Sequence, residues 1–106
     1  MDIGYIKELK NDAATGLMIE YNYADNYKIR IIYKGEGIVY HDIQLDRATI
    51  IDIQIRNGSI SESSIVKWDN DDPISEQEKK IIVERLVLYF KKYQKIEPIV
   101  RDVNEL

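Results

Sequence analysis

The sequence predicts an α+β fold: an antiparallel β-meander sheet of about five strands packed against one long C-terminal α-helix. Between residues 16 and 68, apolar and polar residues alternate in short runs separated by turn-forming residues, as in half-buried antiparallel strands. From Ser75 onward, the apolar residues recur at helical spacing. The length of 106 residues suits one core. We therefore expect a single α+β domain over residues 1–106.

The first two strands are predicted at residues 17–23 and 27–33, where apolar residues and tyrosines occupy every second position. Asp25 and Asn26 lie in the loop between them and suit a tight turn. A loop of about three residues would place Tyr23 opposite Tyr27. Residues 1–12 fit a short helix, but Gly4 weakens that prediction and favours a strand or irregular structure, so their structure stays open.

The next strands follow from glycine-containing turns. Gly35 and Gly37 flank a turn before a strand at residues 38–41, and extended structure is expected at Ile43, Leu45 and residues 48–56. Asn57-Gly58 predicts a type I′ hairpin, because both positions of that turn need positive φ. The returning strand would contain Ile60 and residues 65–68, and the serines at residues 59–64 indicate a bulge or a frayed edge.

The helix is predicted from Glu76 to about Lys92. Ser75 and Glu78 form a capping box, in which each side chain accepts a hydrogen bond from the backbone N–H of the other residue. Glu97-Pro98 should terminate the helical region, and residues 99–100 could add a last short strand. The apolar positions expected to lie on the sheet are Ile82, Leu86, Tyr89, Phe90 and Tyr93.

Five of the eight tyrosines lie between residues 20 and 40. Four of them share the alternation of the apolar residues, which predicts that most border the core on the helix-covered side, with the hydroxyl at the rim. These four are Tyr21, Tyr23, Tyr27 and Tyr33. Tyr40 lies beyond a turn that leaves its register open, so it stays a candidate for contact with a partner.

Composition excludes several classes of function. The chain has no cysteine, so disulfides, thiol catalysis and thiolate zinc sites are ruled out. It contains no apolar run of signal-peptide or membrane-spanning length, which leads us to expect a cytoplasmic protein without a membrane partner. The net charge of −4 and the pI of about 5 argue against binding to nucleic acid. No cofactor is indicated.

The acidic excess is concentrated in one segment. Residues 61–78 contain six acids and one base, Lys67, for a net charge of −5. An acidic surface beside a tryptophan suits recognition of a basic protein, because charge speeds association and a buried aromatic adds affinity. The alternative is a solvated loop entering a helix, with the tryptophan in the core. The candidate partner-binding residues are Trp68, Asp69, Asp71, Asp72, Glu76 and Tyr40.

The acidic residues after Trp68 do not match a calcium-binding loop. The EF-hand pattern requires glycine at position six and glutamate at position twelve. Counted from Asp69, these positions hold Ile74 and Lys80, so no metal site is predicted.

The single histidine, His41, could act as a base in a small hydrolase or nuclease with help from Asp42, Asp46 or Glu36. No catalytic spacing accompanies it, so a strand residue in a protein without enzymatic activity is the favoured interpretation. A third class is a self-associating structural subunit that uses the edge at residues 60–68. The oligomeric state is left open.

The order of elements after residue 50 resembles a known family. Short strands, Trp68, an acidic loop and the capped helix in "PISEQEKKIIVERLVLYF" resemble small α+β immunity proteins of bacterial polymorphic-toxin and contact-dependent inhibition systems. The resemblance covers roughly residues 50–93 and transfers no functional residue. It implies a cytoplasmic, acidic protein that neutralises a cognate toxin or other target enzyme by binding it. A nuclease toxin with a basic groove would attract Asp69, Asp71 and Asp72.

Overall fold

The computed structural model describes residues 19–22, 24–95 and 97–101. The alternatives for residues 1–12 and the predicted start of the first strand lie outside these residues. The described residues form one six-stranded sheet and one α-helix, which confirms the α+β class. The elements are β1 (Ile19–Asn22), β2 (Tyr27–Ile32), β3 (Gly37–Asp42), β4 (Arg47–Gln54), β5 (Ser59–Ser61), α1 (Glu76–Tyr89) and β6 (Ile99–Arg101).

The strands lie in the sheet in sequence order. Each neighbouring pair from β1 to β5 is antiparallel, as predicted, whereas β6 runs parallel to β5 and pairs Ile99 with Ser59. The parallel pair follows from the connection: α1 lies between β5 and β6, and a crossover through a helix is how parallel strands are joined. The predicted meander of about five antiparallel strands is thus present as β1 to β5, and the possible last strand at residues 99–100 is present as the parallel strand β6.

The hairpin of β1 and β2 is present with a different register. Asn22 pairs with Tyr27, so the connection has four residues instead of three, and Tyr23 lies outside the described residues. The predicted Tyr23–Tyr27 pair would have aligned Tyr21 with Ile29, whereas Tyr21 pairs with Lys28. A shift of one residue exchanges the two faces of a strand. Alternation along a single strand predicts which residues share a face, but it does not predict which residue of the next strand each one pairs with.

The chain leaves β2 one residue earlier than predicted. Tyr33 has a φ of 53° and begins a short 3-10 turn, and half of its surface is exposed. The expectation that Tyr33 borders the core is therefore wrong. Gly35 is buried in this turn with a φ of 94°, a conformation for which glycine is needed. Strand β3 then begins at Gly37 and pairs with β2 along its whole length.

Two further connections differ from the predictions. Ile43 and Leu45 were expected to be extended, but they lie in a tight turn between β3 and β4 in which Asp46 has a φ of 50°. The Asn57-Gly58 hairpin is present, yet only Gly58 has positive φ, and Gln54 pairs with Ser59 across a four-residue connection. The turn is therefore not type I′.

Strand β5 is short because a 3-10 turn at Glu62–Ser64 follows it directly. This turn takes the place of the predicted bulge or frayed edge. Ile65 and Trp68 are buried without joining the sheet, and Lys67 forms an isolated bridge with Pro73. Residues 65–68 therefore belong to the loop before the helix and not to the returning strand.

The capping box at the start of α1 is confirmed. The N–H of Glu78 donates to the hydroxyl of Ser75, and the Glu78 carboxylate accepts from the N–H of Ser75. The α-helix has 14 residues, so it is shorter than expected, and a wider π-helical turn continues it through Gln94. The side chains of Ile82, Leu86, Tyr89 and Phe90 are buried in the core formed with the sheet, whereas that of Tyr93 lies outside the description.

The opposite face of the sheet is also buried. Ile32, Val39 and Ala48 form a small apolar cluster there, beside Lys28 and His41, which pair across β2 and β3. Burial lowers the pKa of Lys28. In the described part of the chain, no helix is long and apolar enough to cross a membrane.

Candidate functional site

The acidic loop after Trp68 is a tight, internally bonded structure. The Trp68 N–H donates to the carbonyl of Asp72 at 2.9 Å, and the Asp71 N–H donates to the carbonyl of Trp68 at 3.0 Å. Asp71 has a φ of 72°. The Ile74 N–H donates to the carbonyl of Val66, which lies just before the loop. Because the backbone satisfies its own hydrogen bonds, the loop can present its side chains in a fixed arrangement.

Asp69 fastens this loop to the sheet. Its N–H donates to the carbonyl of Ala48 at 2.9 Å, and its Oδ1 accepts from the N–H of Ala48 at 3.0 Å. Asp69 thus pairs with both backbone hydrogen-bonding groups of Ala48 in β4. Asp69 therefore has a structural role that the sequence did not reveal, while the side chains of Asp71 and Asp72 are exposed.

Trp68 is only 2% exposed, in agreement with the favoured alternative of a core residue. It nevertheless borders a cleft of about 190 Å³ between the loop, the sheet and α1. This Trp68 cleft brings together residues from four separate stretches of the chain. It is lined by Asp25, Tyr40, Asp42, Gln44, Arg47, Trp68, Glu78, Ile81, Ile82 and Arg85.

Arg47 holds the wall of the cleft together. Its Nε donates to Asp42 at 2.9 Å, its Nη2 donates to Glu78 at 2.5 Å, and its guanidinium lies 4.2 Å from the centre of the Trp68 ring. Burial would lower the pKa of Arg47, but its two carboxylate partners outweigh burial and raise it. The side chain of Arg47, in β4, thus contacts β3 through Asp42, the loop through Trp68 and the first turn of α1 through Glu78.

Glu78 is held in its charged form. Burial alone would raise its pKa, but the hydrogen bond from the Ser75 N–H and the contact with Arg47 together lower it below the ordinary value of 4.5. The same carboxylate therefore caps the helix and pairs with the sheet.

Three aromatic rings form a row under the cleft. Tyr27 stacks on Tyr40 with ring centres 5.6 Å apart, and Tyr40 lies 6.2 Å from Trp68. Tyr27 and Tyr40 are almost fully buried, and the Tyr40 hydroxyl accepts a hydrogen bond from Arg85. Burial raises the pKa of Tyr40, and Arg85 opposes part of this shift. Tyr40 therefore contributes to the floor of the site and presents no exposed ring to a partner.

Acidic residues from other turns converge on the same end of the sheet. The Ile43 N–H donates to the carbonyl of Asn26 at 2.9 Å, which joins the β3–β4 turn to the β1–β2 turn. The β4 end of that turn is bonded to the Asp69 loop. We call the exposed carboxylates of these three connections the acidic end: Asp25, Asp46, Asp71 and Asp72.

Sequence reasoning missed most of this assembly. Asp25 and Asp46 are distant in sequence from the acidic segment, and Arg47 had no distinguishing motif. The available signal was that both turns on this side of a meander contain aspartate, since alternate turns of a meander lie at one end of the sheet. Glu76, by contrast, borders a different cleft of about 520 Å³, with Glu62, Lys80, Val83 and Glu84. The structure does not bring Glu76 to the Trp68 cleft.

His41 lies on the face of the sheet opposite Tyr40, and it is 7% exposed. Its Nε2 lies 3.0 Å from Asp46 Oδ1, whereas Asp42 pairs with Arg47. His41 does not line the Trp68 cleft. Among the described residues, no group of three or more potential ligands could hold a metal ion.

No protein-family model, curated protein or solved structure matches the chain. The resemblance of residues 50–93 to immunity proteins accordingly stays a hypothesis. The function has to be argued from the chemistry of the site.

Proposed function

We propose that this protein is a binding protein without catalytic activity, which inhibits an enzyme by covering a basic site on it. The observation that supports this function is the presence of exposed aspartates from three connections at one end of the sheet, next to the Trp68 cleft. Sequence alone located the acids of only one of these connections. A cognate bacterial toxin is the proposed target, and a nuclease is the favoured kind because its substrate groove must be basic.

The charge of the acidic end supports a basic partner. Three internal bonds occupy two of the bases near it: Arg47 is held by Asp42 and Glu78, and the Lys67 ammonium lies 3.0 Å from Asp71. Asp46 and Asp71 are each about three-quarters exposed. A surface of one charge accelerates the encounter with a partner of opposite charge and selects against acidic competitors.

Apolar surface lies inside the same region. Leu45, at the tip of the β3–β4 turn, is 63% exposed, and Ile81 is 40% exposed at the border of the Trp68 cleft. Stable interfaces combine a polar rim with apolar residues that lose water on binding. Leu45 and Ile81 are therefore the proposed apolar contacts, and the four exposed aspartates form the rim.

The packing under this surface is suited to inhibition. The loop, the two turns and the first turn of α1 are joined by backbone and side-chain hydrogen bonds, so little conformational freedom remains to be lost on binding. A basic side chain from the partner can approach Asp25 at the mouth of the cleft. Covering the partner's substrate groove would prevent catalysis without any reaction by this protein.

The test has two stages. First, the C-terminal domain of a secreted protein encoded next to this chain is expressed in a bacterial host, with and without this protein. Protection of growth supports the immunity function. Second, the affinity of the purified pair is measured over a range of NaCl concentrations. Replacing all four aspartates of the acidic end with asparagine should weaken binding at low salt by at least about tenfold and reduce its salt dependence.

A matched variant separates local charge from net charge. Four exposed acids elsewhere, Glu36, Asp52, Glu84 and Glu97, are replaced by their amides, which changes the net charge by the same amount. This control should bind as the wild type does. If both variants lost affinity equally, net charge alone would explain the loss, and the proposed binding surface would be contradicted. Failure to protect against an adjacent toxin would contradict the immunity function.

The enzyme alternative has its own test. The proposal predicts that the purified protein does not hydrolyse nucleic acids or ester substrates, and that His41→Gln protects growth as the wild type does. A hydrolytic activity that His41→Gln abolishes would overturn the assignment to a protein without catalysis.

A further inference from the structure

A second cleft lies on the other side of Arg85 and differs in charge from the first. It has a volume of about 270 Å³ and lies between α1, its π-helical continuation and the β1–β2 hairpin. Among the residues that the structure describes, no acidic side chain lines it. The lining of this Arg85 cleft consists of Asn22, Tyr27, Arg85, Leu88, Tyr89 and Lys92.

Arg85 is fixed in position by two aromatic residues. Its guanidinium lies 4.4 Å from the centre of the Tyr27 ring, and its Nη1 donates to the Tyr40 hydroxyl at 2.5 Å. Stacking and one hydrogen bond define the plane of the guanidinium while using one of its five N–H donors. Arg85 borders both clefts, so further donors are available at their surfaces.

In the described ranges, no carboxylate lies within ion-pair distance of the Arg85 guanidinium. Among the described residues, Arg85 forms no ion pair, and its hydrogen-bond partner is a phenol whose pKa is raised by burial. The neighbours three and four positions away on the helix are also uncharged: Ile81, Ile82, Leu88 and Tyr89. This contrasts with Arg47, which binds two carboxylates. A preorganised guanidinium in an aromatic setting is suited to a planar anion.

We propose that the Arg85 cleft binds a carboxylate joined to a small apolar group. Arg85 donates two hydrogen bonds to the carboxylate, and Lys92 contributes a second positive charge at the exposed border. Leu88, which is 63% exposed, contacts the apolar group. The size of the cleft suits one side chain or a short-chain acid, below the usual range of drug-sized pockets. None of the four aspartates of the acidic end lines this cleft, although Arg85 also borders the Trp68 cleft.

The carboxylate could belong to a peptide or to a free acid, and the experiment distinguishes these sources. Hexanoate and the capped dipeptide acetyl-Leu-Glu-amide are titrated into the isotope-labelled full chain and followed by NMR. We expect hexanoate to bind with a dissociation constant on the order of 1 mM, because a ligand of this size gains limited free energy. Tighter binding of the dipeptide assigns a peptide source, and tighter binding of hexanoate assigns a free acid.

Uncharged analogues test the role of the carboxylate without changing the protein. Hexanamide and acetyl-Leu-Gln-amide should each bind at least about tenfold more weakly than their acids. The shifts should include the Leu88 methyl groups, the Asn22 amide and the Arg85 Nε–H. Equal binding of the acids and the amides would overturn the proposal. It would also be overturned if the NMR signals of these groups did not shift at a ligand concentration about tenfold above the expected dissociation constant.

Two variants locate the site. Arg85→Gln should reduce hexanoate affinity by at least about tenfold. Lys92→Gln, at an exposed position, should reduce it by a smaller factor. Lys80→Gln, an exposed helix residue beside a different cleft, is the matched control and should leave the affinity unchanged. An equal effect of Lys80→Gln and Lys92→Gln would show nonspecific attraction and contradict the assignment.

Discussion

The guanidinium of Arg47 lies 4.2 Å from the centre of the Trp68 ring, with Asp42 and Glu78 bound at its two sides. This contact joins strand β4 to the acidic loop and the loop to the start of α1. The side chains of the three charged residues are between 19% and 30% exposed, so water screens their interaction only in part. Arg47 therefore determines the relative positions of the surfaces that we propose to contact a partner.

Removal of Arg47 should destabilise the fold. Arg47→Met leaves two partly buried carboxylates without their base and removes the cation–π contact, with an expected loss of about 2 kcal/mol in the free energy of unfolding. Arg47→Lys should recover part of it, because lysine cannot bind both acids in the same planar geometry. Urea unfolding at pH 7 measures these changes. The exposed Arg56→Met is the control, and an equal effect there would contradict a specific role for Arg47.

Glu78 makes stability depend on acidic pH. Its pKa is lowered in the folded state, so its stabilising contribution is present above the ordinary value of 4.5 and is lost as the pH falls through the lower, folded-state pKa. The difference in unfolding free energy between the wild type and Glu78→Gln should therefore shrink as the pH is lowered from 6 to 3, in steps of about one unit. A pH-independent difference at Glu78 would contradict the charged interaction.

Substitutions of the loop aspartates should affect the free energy of unfolding by different amounts, because Asp69 is bonded to the sheet and Asp71 is exposed. Asp69→Ala removes the acceptor for the Ala48 N–H and should cost about 1–2 kcal/mol, whereas Asp69→Asn keeps an acceptor and should cost less. Asp71→Asn affects an exposed ion pair and should change stability by less than about 0.5 kcal/mol. Urea unfolding followed by Trp68 fluorescence gives these values. A larger loss for Asp71→Asn than for Asp69→Ala would show that the roles are reversed.

Gly35 and Gly37 should respond differently to alanine. Gly35 has a φ of 94°, and an added Cβ would collide with the branched side chain of Ile55. Backbone strain and steric overlap together should cost at least about 2 kcal/mol. At Gly37 the nearest atom is on the ring of Tyr33, which is half exposed and can move. Thermal or urea unfolding of both variants should therefore rank Gly35→Ala as the less stable, and the opposite order would contradict this explanation.

Short sequence patterns correctly predicted the elements that are stabilised by residues close together in the sequence. The capping box of Ser75 and Glu78 satisfies backbone groups within one turn of the helix, so the prediction required no distant residue. The strands β2 to β4 follow from alternation along each strand. The turns and registers were less predictable, because Tyr33 and Asp46 adopt positive φ in response to the pairing of neighbouring strands. Of the proposed site, the sequence identified Asp71 and Asp72, while the participation of Asp25, Asp46 and Arg47 depended on which turns share one end of the sheet.

Residue patterns were sufficient to predict the α+β class, the capped helix and the concentration of acidic residues after Trp68. These features depend on residue type and on spacings of a few residues, which differ between helices and strands. The three-dimensional structure was needed to show that β6 joins the sheet in parallel to β5, that Asp69 binds Ala48, and that Arg47 stacks on Trp68. Such contacts join segments about twenty or more residues apart, and their geometry depends on how the whole sheet and helix pack. The charge of the acidic segment was thus apparent in the sequence, but its division into structural and exposed carboxylates was not.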